Sequence, residues 1–192
     1  MRLLLTGFEP FSDYERNISW DIAQSVALSP IEKVDICLSL LPVSVKRGGN
    51  CLKSLIDDYI PDAILMLGQS TTRSNIEIER IAVNLMYSIN GDNDGYCPID
   101  EPIIVNSENA YFSNAPLRKI VESCKQHGID IKISNSAGLF VCNCCFYHAL
   151  HLLKNQNCVV AFIHLPANKN LTDFNNRHAV ELIIKSLIDT CH

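Results

Sequence analysis

Three short runs, Arg2–Thr6, Ala63–Leu67 and Cys158–His164, are apolar at nearly every position. A strand with one wet face alternates apolar and polar residues, so continuous apolar runs of this length predict strands covered on both faces. Val34–Leu40, Ile76–Val83 and Ile129–Ser134 are further candidate strands. Helical stretches fall near Trp20–Leu28, Ser44–Tyr59, Ala115–His127, Cys142–Lys154 and Asp173–Thr190. In the last of these, Ala179, Leu182, Ile183 and Leu187 share one helical face. Strands alternating with helices predict an α/β fold: a single-domain three-layer sandwich over residues 1–192, its mostly parallel sheet carrying helices on both faces. A chain of this length can bury roughly 70% of its unfolded surface. The segment Asn90–Asn109, rich in Gly, Asn, Asp and Pro, reads as a surface loop, because no second core follows it.

The net charge of −5, with Lys and Arg scattered, speaks against a nucleic-acid partner, which favours a basic stripe. No apolar run approaches the ~20 residues needed to cross a bilayer. The opening apolar stretch ends at Thr6-Gly7-Phe8-Glu9, well short of a signal-peptide core. The nine cysteines (Cys37, Cys51, Cys97, Cys124, Cys142, Cys144, Cys145, Cys158 and Cys191) are odd in number and lack framework spacing. That pattern suits a reducing cytoplasm, and it leaves the sequons at Asn17 and Asn170 with little weight.

In open sheets of this kind, sites gather beyond the carboxyl ends of the strands. Gly7-Phe8-Glu9-Pro10-Phe11, Gly68-Gln69-Ser70, Ser136-Ala137-Gly138 and His164-Leu165-Pro166 all fall there. Cys142 follows a Gly-containing turn at a predicted helix start, where free amides and the helix dipole favour a thiolate. An ordinary thiol, with pKa about 8.5, is mostly protonated at pH 7, whereas one near ~6 is mostly ionised. The same amides could hold an oxyanion. A buried structural cysteine is the competing account. His164 ends a buried strand before Leu-Pro, so its ring could leave the sheet edge as a base; a hydrogen-bonded structural histidine is the alternative. Regular alternation through Ile76–Val83 sets Glu77 and Glu79 on one face with Ile81 and Val83, which reads either as an exposed Glu–Arg pair or as a carboxylate that orients a histidine.

Four blocks taken together resemble pyroglutamyl peptidase I, a family of cysteine peptidases. They are Leu4-Leu5-Thr6-Gly7-Phe8-Glu9-Pro10-Phe11 with Asn17-Ile18-Ser19-Trp20, then Gly68-Gln69 with Ile78-Glu79-Arg80-Ile81-Ala82-Val83-Asn84. Ser134-Asn135-Ser136-Ala137-Gly138-Leu139-Phe140-Val141-Cys142-Asn143 and Phe162-Ile163-His164-Leu165-Pro166 complete the set. The resemblance implies Cys142 as nucleophile, His164 as general base then acid, and Glu79 as the supporting carboxylate. It matches Phe8 and Phe11 to aromatic residues of a pyroglutamyl pocket. Gln69, through its backbone, and Asn17, Phe140 and Val141 match positions at or near that pocket. The implied reaction removes an N-terminal pyroglutamyl residue from a peptide or protein through a thioester, with no cofactor and no metal. The resemblance also implies a homo-oligomer, a dimer or tetramer. Family members usually carry an Arg where Ile89 aligns, so turnover could be weakened; the tail after Pro166 matches poorly, so contacts that shape the leaving-group side or the oligomer could differ.

Three rival readings compete. Cys142 and Cys145 form a C-x-x-C at a helix start, as in thiol-redox proteins, although such motifs usually follow the first strand. Cys144, Cys145, His148 and His151 invite zinc, but no second ligand pair appears for a closed site. Ile89 keeps open a binding homologue with little or no catalysis.

Overall fold

The computed structural model describes residues 1–167 and 173–190; the sequon at Asn170 and Cys191 lie outside them. The three apolar runs form the middle of a six-stranded sheet. They are β1 (Arg2–Phe8), β3 (Ala63–Ser70) and β10 (Val159–Pro166), joined by β2 (Asp35–Leu41), β4 (Ile76–Glu79) and β9 (Ile131–Ser134) in the order β2-β1-β3-β10-β4-β9. Leu3, Leu4 and Leu5 of β1 are all fully buried, as continuous apolar sequence predicts. β1, β2, β3 and β10 run parallel. The sheet then reverses: β4 pairs antiparallel with β10, placing Glu77 opposite His164, and β9 lies parallel to β4.

Helices α1 (Ile18–Ala27), α2 (Val45–Tyr59), α3 (Leu117–Gln126), α4 (Val141–Leu153) and α5 (Asp173–Ile188) cover both faces. Leu3, Leu5, Ala161 and Ile163 pack under α1, α3 and α5, where Ala179, Leu182, Ile183 and Leu187 supply the predicted apolar face. Leu4, Met66, Val160 and Phe162 pack under α2 and α4. Odd and even positions of each strand thus feed two separate cores, the arrangement a period of two requires. Among the described residues, no helix is long and apolar enough to cross a membrane.

Two sequence expectations need correction. The predicted strand Ile76–Val83 is two strands, because the chain leaves the sheet at Arg80 and β5 (Ile81–Val83) pairs instead with β8 (Ala110–Phe112). Glu77 and Glu79 do share a face, but Ile81 and Val83 do not continue it. The polar segment Asn90–Asn109 is more ordered than a plain loop. It holds β7 (Ile99–Glu101), which pairs with β6 (Met86–Tyr87). Asp92 braces it to the start of α2, its carboxylate accepting from the amides of Val45, Asp94 and Tyr96 at 2.8–2.9 Å.

Candidate active site

On β4 and β10 the isoleucines Ile76, Ile78 and Ile163 face the α1, α3 and α5 core, so Glu77, Glu79 and His164 project to the opposite face, toward α4. The His164 ring stacks at a tilt on Phe162, centroids 4.9 Å apart. Gly68 of β3 makes room for it: a Cβ there would lie 2.9 Å from the Phe162 ring and 3.0 Å from the His164 ring. His164 Nδ1 donates to Oε1 of Glu79 at 2.7 Å. A carboxylate oxygen can only accept, so the proton sits on Nδ1 and Nε2 is the lone-pair nitrogen. Burial lowers the pKa of His164 from 6.5, with the Glu79 hydrogen bond opposing that shift and Arg73 reinforcing it.

Glu79 is wholly buried. The exposed Glu–Arg pair is therefore not what forms, and Arg80 is not the partner. Oε1 of Glu79 accepts from Nη1 of Arg73 as well as from His164. Arg73 also pairs with Glu77 at 2.9 Å and donates from Nη2 to the Ser136 carbonyl at 2.7 Å. Ile89, by contrast, is 72% exposed and does not touch this network. The cation at the carboxylate is Arg73, which sequence reasoning passed over because it lies in the polar stretch Ser70-Thr71-Thr72-Arg73-Ser74-Asn75.

Cys142 enters from above. Gly138 adopts φ +80°, a conformation L side chains rarely take, and turns the chain from β9 toward Phe140, the N-cap of α4. Cys142 is the second residue of that helix. Asn143 fixes the first helical turn: its buried amide accepts from Val83 N at 3.0 Å and donates to the carbonyls of Val83 and Leu85. The helix start is as expected, but the thiolate is not. Burial, then the negative charge of Glu79, push the Cys142 thiol up to about 12, against the lowering effects of Arg73 and of its own amide. Desolvation outweighs a helix dipole that acts from only one end.

Cys142 and His164 line one cavity of about 210 Å³, and so do all six residues matched to the pocket: Phe8, Phe11, Asn17, Gln69, Phe140 and Val141. Ser70 and Ala137, from two of the segments expected beyond the strand ends, complete it with Val43 and Thr71, unforeseen because each is an ordinary residue in a loop. Two of the polar residues have committed side chains. Oδ1 of Asn17 accepts from Ser19 N to cap α1, and its Nδ2 donates to Glu9 O at 2.9 Å. Oε1 of Gln69 accepts from Ile18 N at 2.8 Å, which leaves its backbone to serve the cavity. Glu79 stands behind His164, outside the lining.

The rival motifs fall elsewhere. Cys144 and Cys145 are fully buried, Cys145 in the α2/α4 core, with its thiol raised well above its ordinary value by burial. His151 Nδ1 is shared by Ser107 and Tyr111 at 3.1 and 3.0 Å, and His148 lies against Gly49. The two histidines are thus half-buried.

Known proteins of one family resemble this chain in sequence and in fold. The pyroglutamyl peptidase family model matches residues 1–185. The pyrrolidone-carboxylate peptidase of Thermosipho melanesiensis is 40% identical over 172 residues, covering 88% of this chain and 85% of that protein. Its counterpart from Thermococcus kodakarensis is 39% identical over 168 residues, covering 86% and 81%. The structure of pyrrolidone carboxyl peptidase from Thermococcus litoralis superposes with TM-score 0.93 at 34% identity, covering 98% of this chain and 93% of that one. With a sequence match over nearly its whole length and a backbone that follows the solved structures, the chain belongs to the pyroglutamyl peptidase family, whose members are cysteine-type hydrolases.

Proposed function

We propose that Cys142, His164 and Glu79 carry out the family's reaction in this chain, hydrolysis of the amide bond after an N-terminal pyroglutamyl residue. The observation that carries this reading is a small cavity bounded by a thiol, an imidazole and apolar walls. Pyroglutamate is a flat, neutral lactam, and Phe8, Phe11, Phe140 and Val141 give it apolar contact while the Gln69 backbone offers hydrogen bonds. A site that bonds such a group can reject analogues lacking it by ~10⁴ or more.

Cys142 rests as a thiol, so its attack is coupled to proton transfer. Sγ bonds to the carbonyl carbon as its proton passes to Nε2 of His164. The negative charge moves to the carbonyl oxygen, where first-turn amides of α4 receive it. Glu79 stabilises the imidazolium through Nδ1. His164 then protonates the departing nitrogen, the C–N bond breaks, and a thioester remains. Water gives a proton to His164 and attacks the thioester; pyroglutamate leaves and the proton returns to sulfur.

The partners are peptides or proteins blocked by N-terminal pyroglutamate. A reducing cytoplasm suits the eight described cysteines, all free thiols. Self-association into a dimer or tetramer belongs to the same proposal; its support is the family resemblance, and light scattering measures it.

Release of aminomethylcoumarin from its pyroglutamyl derivative tests the reaction. Wild type and Cys145→Ala should turn over, and Cys142→Ala should lose ~10⁴-fold or more. Silence of folded, reduced wild type would overturn the assignment; a requirement for Cys145 would turn it toward thiol redox chemistry.

A further inference from the structure

We propose that Arg73 is a positioning residue: one guanidinium holds the Glu79 carboxylate behind His164 and, through Ser136, the loop that delivers Cys142. This rests on the catalytic reading above, but it adds a residue that reading does not need. Three observations carry it. Glu79 is fully buried, and an ionised carboxylate without a countercharge there would take up a proton instead. His164 is not that countercharge at rest, because burial keeps it neutral. Among the described residues, Arg73 is the permanent cation in contact with Glu79.

Both bonds to Glu79 fall on the same oxygen, Oε1, while Oε2 is buried with no hydrogen-bond partner among the described residues. A carboxylate held at one oxygen can swing about it. Arg73 fixes where that oxygen sits, since its other nitrogen is anchored on Ser136 O at 2.7 Å and Glu77 takes a further bond. Ser136 lies two residues before the left-handed turn at Gly138 and six before Cys142. The arginine therefore ties the β3–β4 loop to the β9–α4 loop across β4, the strand that bears Glu79. Its side chain is only 17% exposed, so solvent screens these contacts weakly.

The charged and titratable groups facing His164 are Glu77 and Glu79 from β4, Arg73 from the β3–β4 loop, and Cys142 from α4; β3 presents Gly68. Loss of the Arg73 charge makes a proton on His164 more favourable, so the imidazole takes it up at higher pH. Loss of the Glu77 charge acts in the opposite direction.

The test measures kcat/KM against pH for wild type, Arg73→Gln, Arg73→Lys and Glu77→Gln. Site-resolved alkylation of Cys142 by iodoacetamide over the same pH range runs in parallel. The acid limb of Arg73→Gln should rise by about one pH unit, with kcat down at least tenfold and KM changed less. Arg73→Lys should restore the limb but not the full kcat, because an ammonium cannot span both anchors. Glu77→Gln should move the limb to lower pH. An Arg73→Gln limb that coincides with wild type, whatever the loss of rate, would reduce Arg73 to a structural brace and overturn the proposal. If Arg73→Gln does not fold, a Glu77→Gln limb that stays put or rises does the same. Alkylation reads the pair without any peptide, so a wild type inactive on pyroglutamyl substrates would refute the assigned reaction and still leave Arg73 decided.

Discussion

Against α1, α3 and α5 the sheet buries leucine, isoleucine, valine and alanine almost exclusively. Against α2 and α4 it sets Phe8 and Phe162 among its aliphatic side chains, where they meet Phe146, Tyr147 and the thiol of Cys145 from α4, and on that face stand His164 and Glu79. Both faces use the same strands, so the difference is one of parity alone. Even positions of β10 carry Val160, Phe162 and His164, whereas Ala161, Ile163 and Leu165 turn away. One face can then be packed for stability while the other carries a buried carboxylate and an imidazole, whose cost is offset by the first.

If that division of labour holds, damage to the two faces should separate. Glu79→Gln keeps an oxygen for His164 Nδ1 but removes the charge that stabilises the imidazolium. It should lower kcat roughly 10²–10⁴-fold, with circular dichroism unchanged. Rate constants near wild type would show that the buried charge is ornamental to catalysis and sink the comparison at its active side.

The other face should answer in the opposite currency. Leu65 is fully buried at the centre of β3 among the aliphatic side chains. Leu65→Ala should cost about 2–5 kcal/mol, lowering the thermal midpoint by about 5–15 °C. Its kcat below the transition should stay within about twofold of wild type. A loss of kcat comparable to Glu79→Gln, in protein still folded, would mean that the two cores are mechanically coupled.

The same division explains what could be read from the sequence. Continuous apolar runs fixed the central strands, since only strands covered on both faces tolerate them. The six pocket positions and the cysteine, histidine and glutamate came from four blocks recognised together. Alternation placed Glu77 and Glu79 correctly on one face, but nothing local announced the break at Arg80, which depends on β8 offering β5 a partner. Arg73 escaped notice because its partners lie four, six and sixty-three residues away, in two other segments. The thiolate expectation failed for a related reason: the helix start is a local fact, whereas the desolvation that overrides it is assembled from the whole fold.

That last difference yields the smallest and most discriminating effect, on pH. With Cys142 pushed up to about 12 and His164 lowered from 6.5, the resting pair is neutral thiol and neutral imidazole. The acid limb of kcat/KM should therefore lie below pH 6.5. The difference in thiolate absorbance between wild type and Cys142→Ala should be absent at pH 7 and emerge only in alkaline solution. Stability should respond on the same side. His148, His151 and His164 all have pKa values lowered by burial, so below 6.5 the unfolded chain binds protons that the folded one refuses. Folding free energy should then decline as pH falls from 6.5, with slope set by the number of such protons. A thiolate band at pH 7 would show that an ion pair forms despite the burial, because the imidazolium would then have to supply what the helix amides and Arg73 do not. Attack would no longer need coupled proton transfer, and the chemical face of the sheet would be holding two opposite charges rather than a neutral pair.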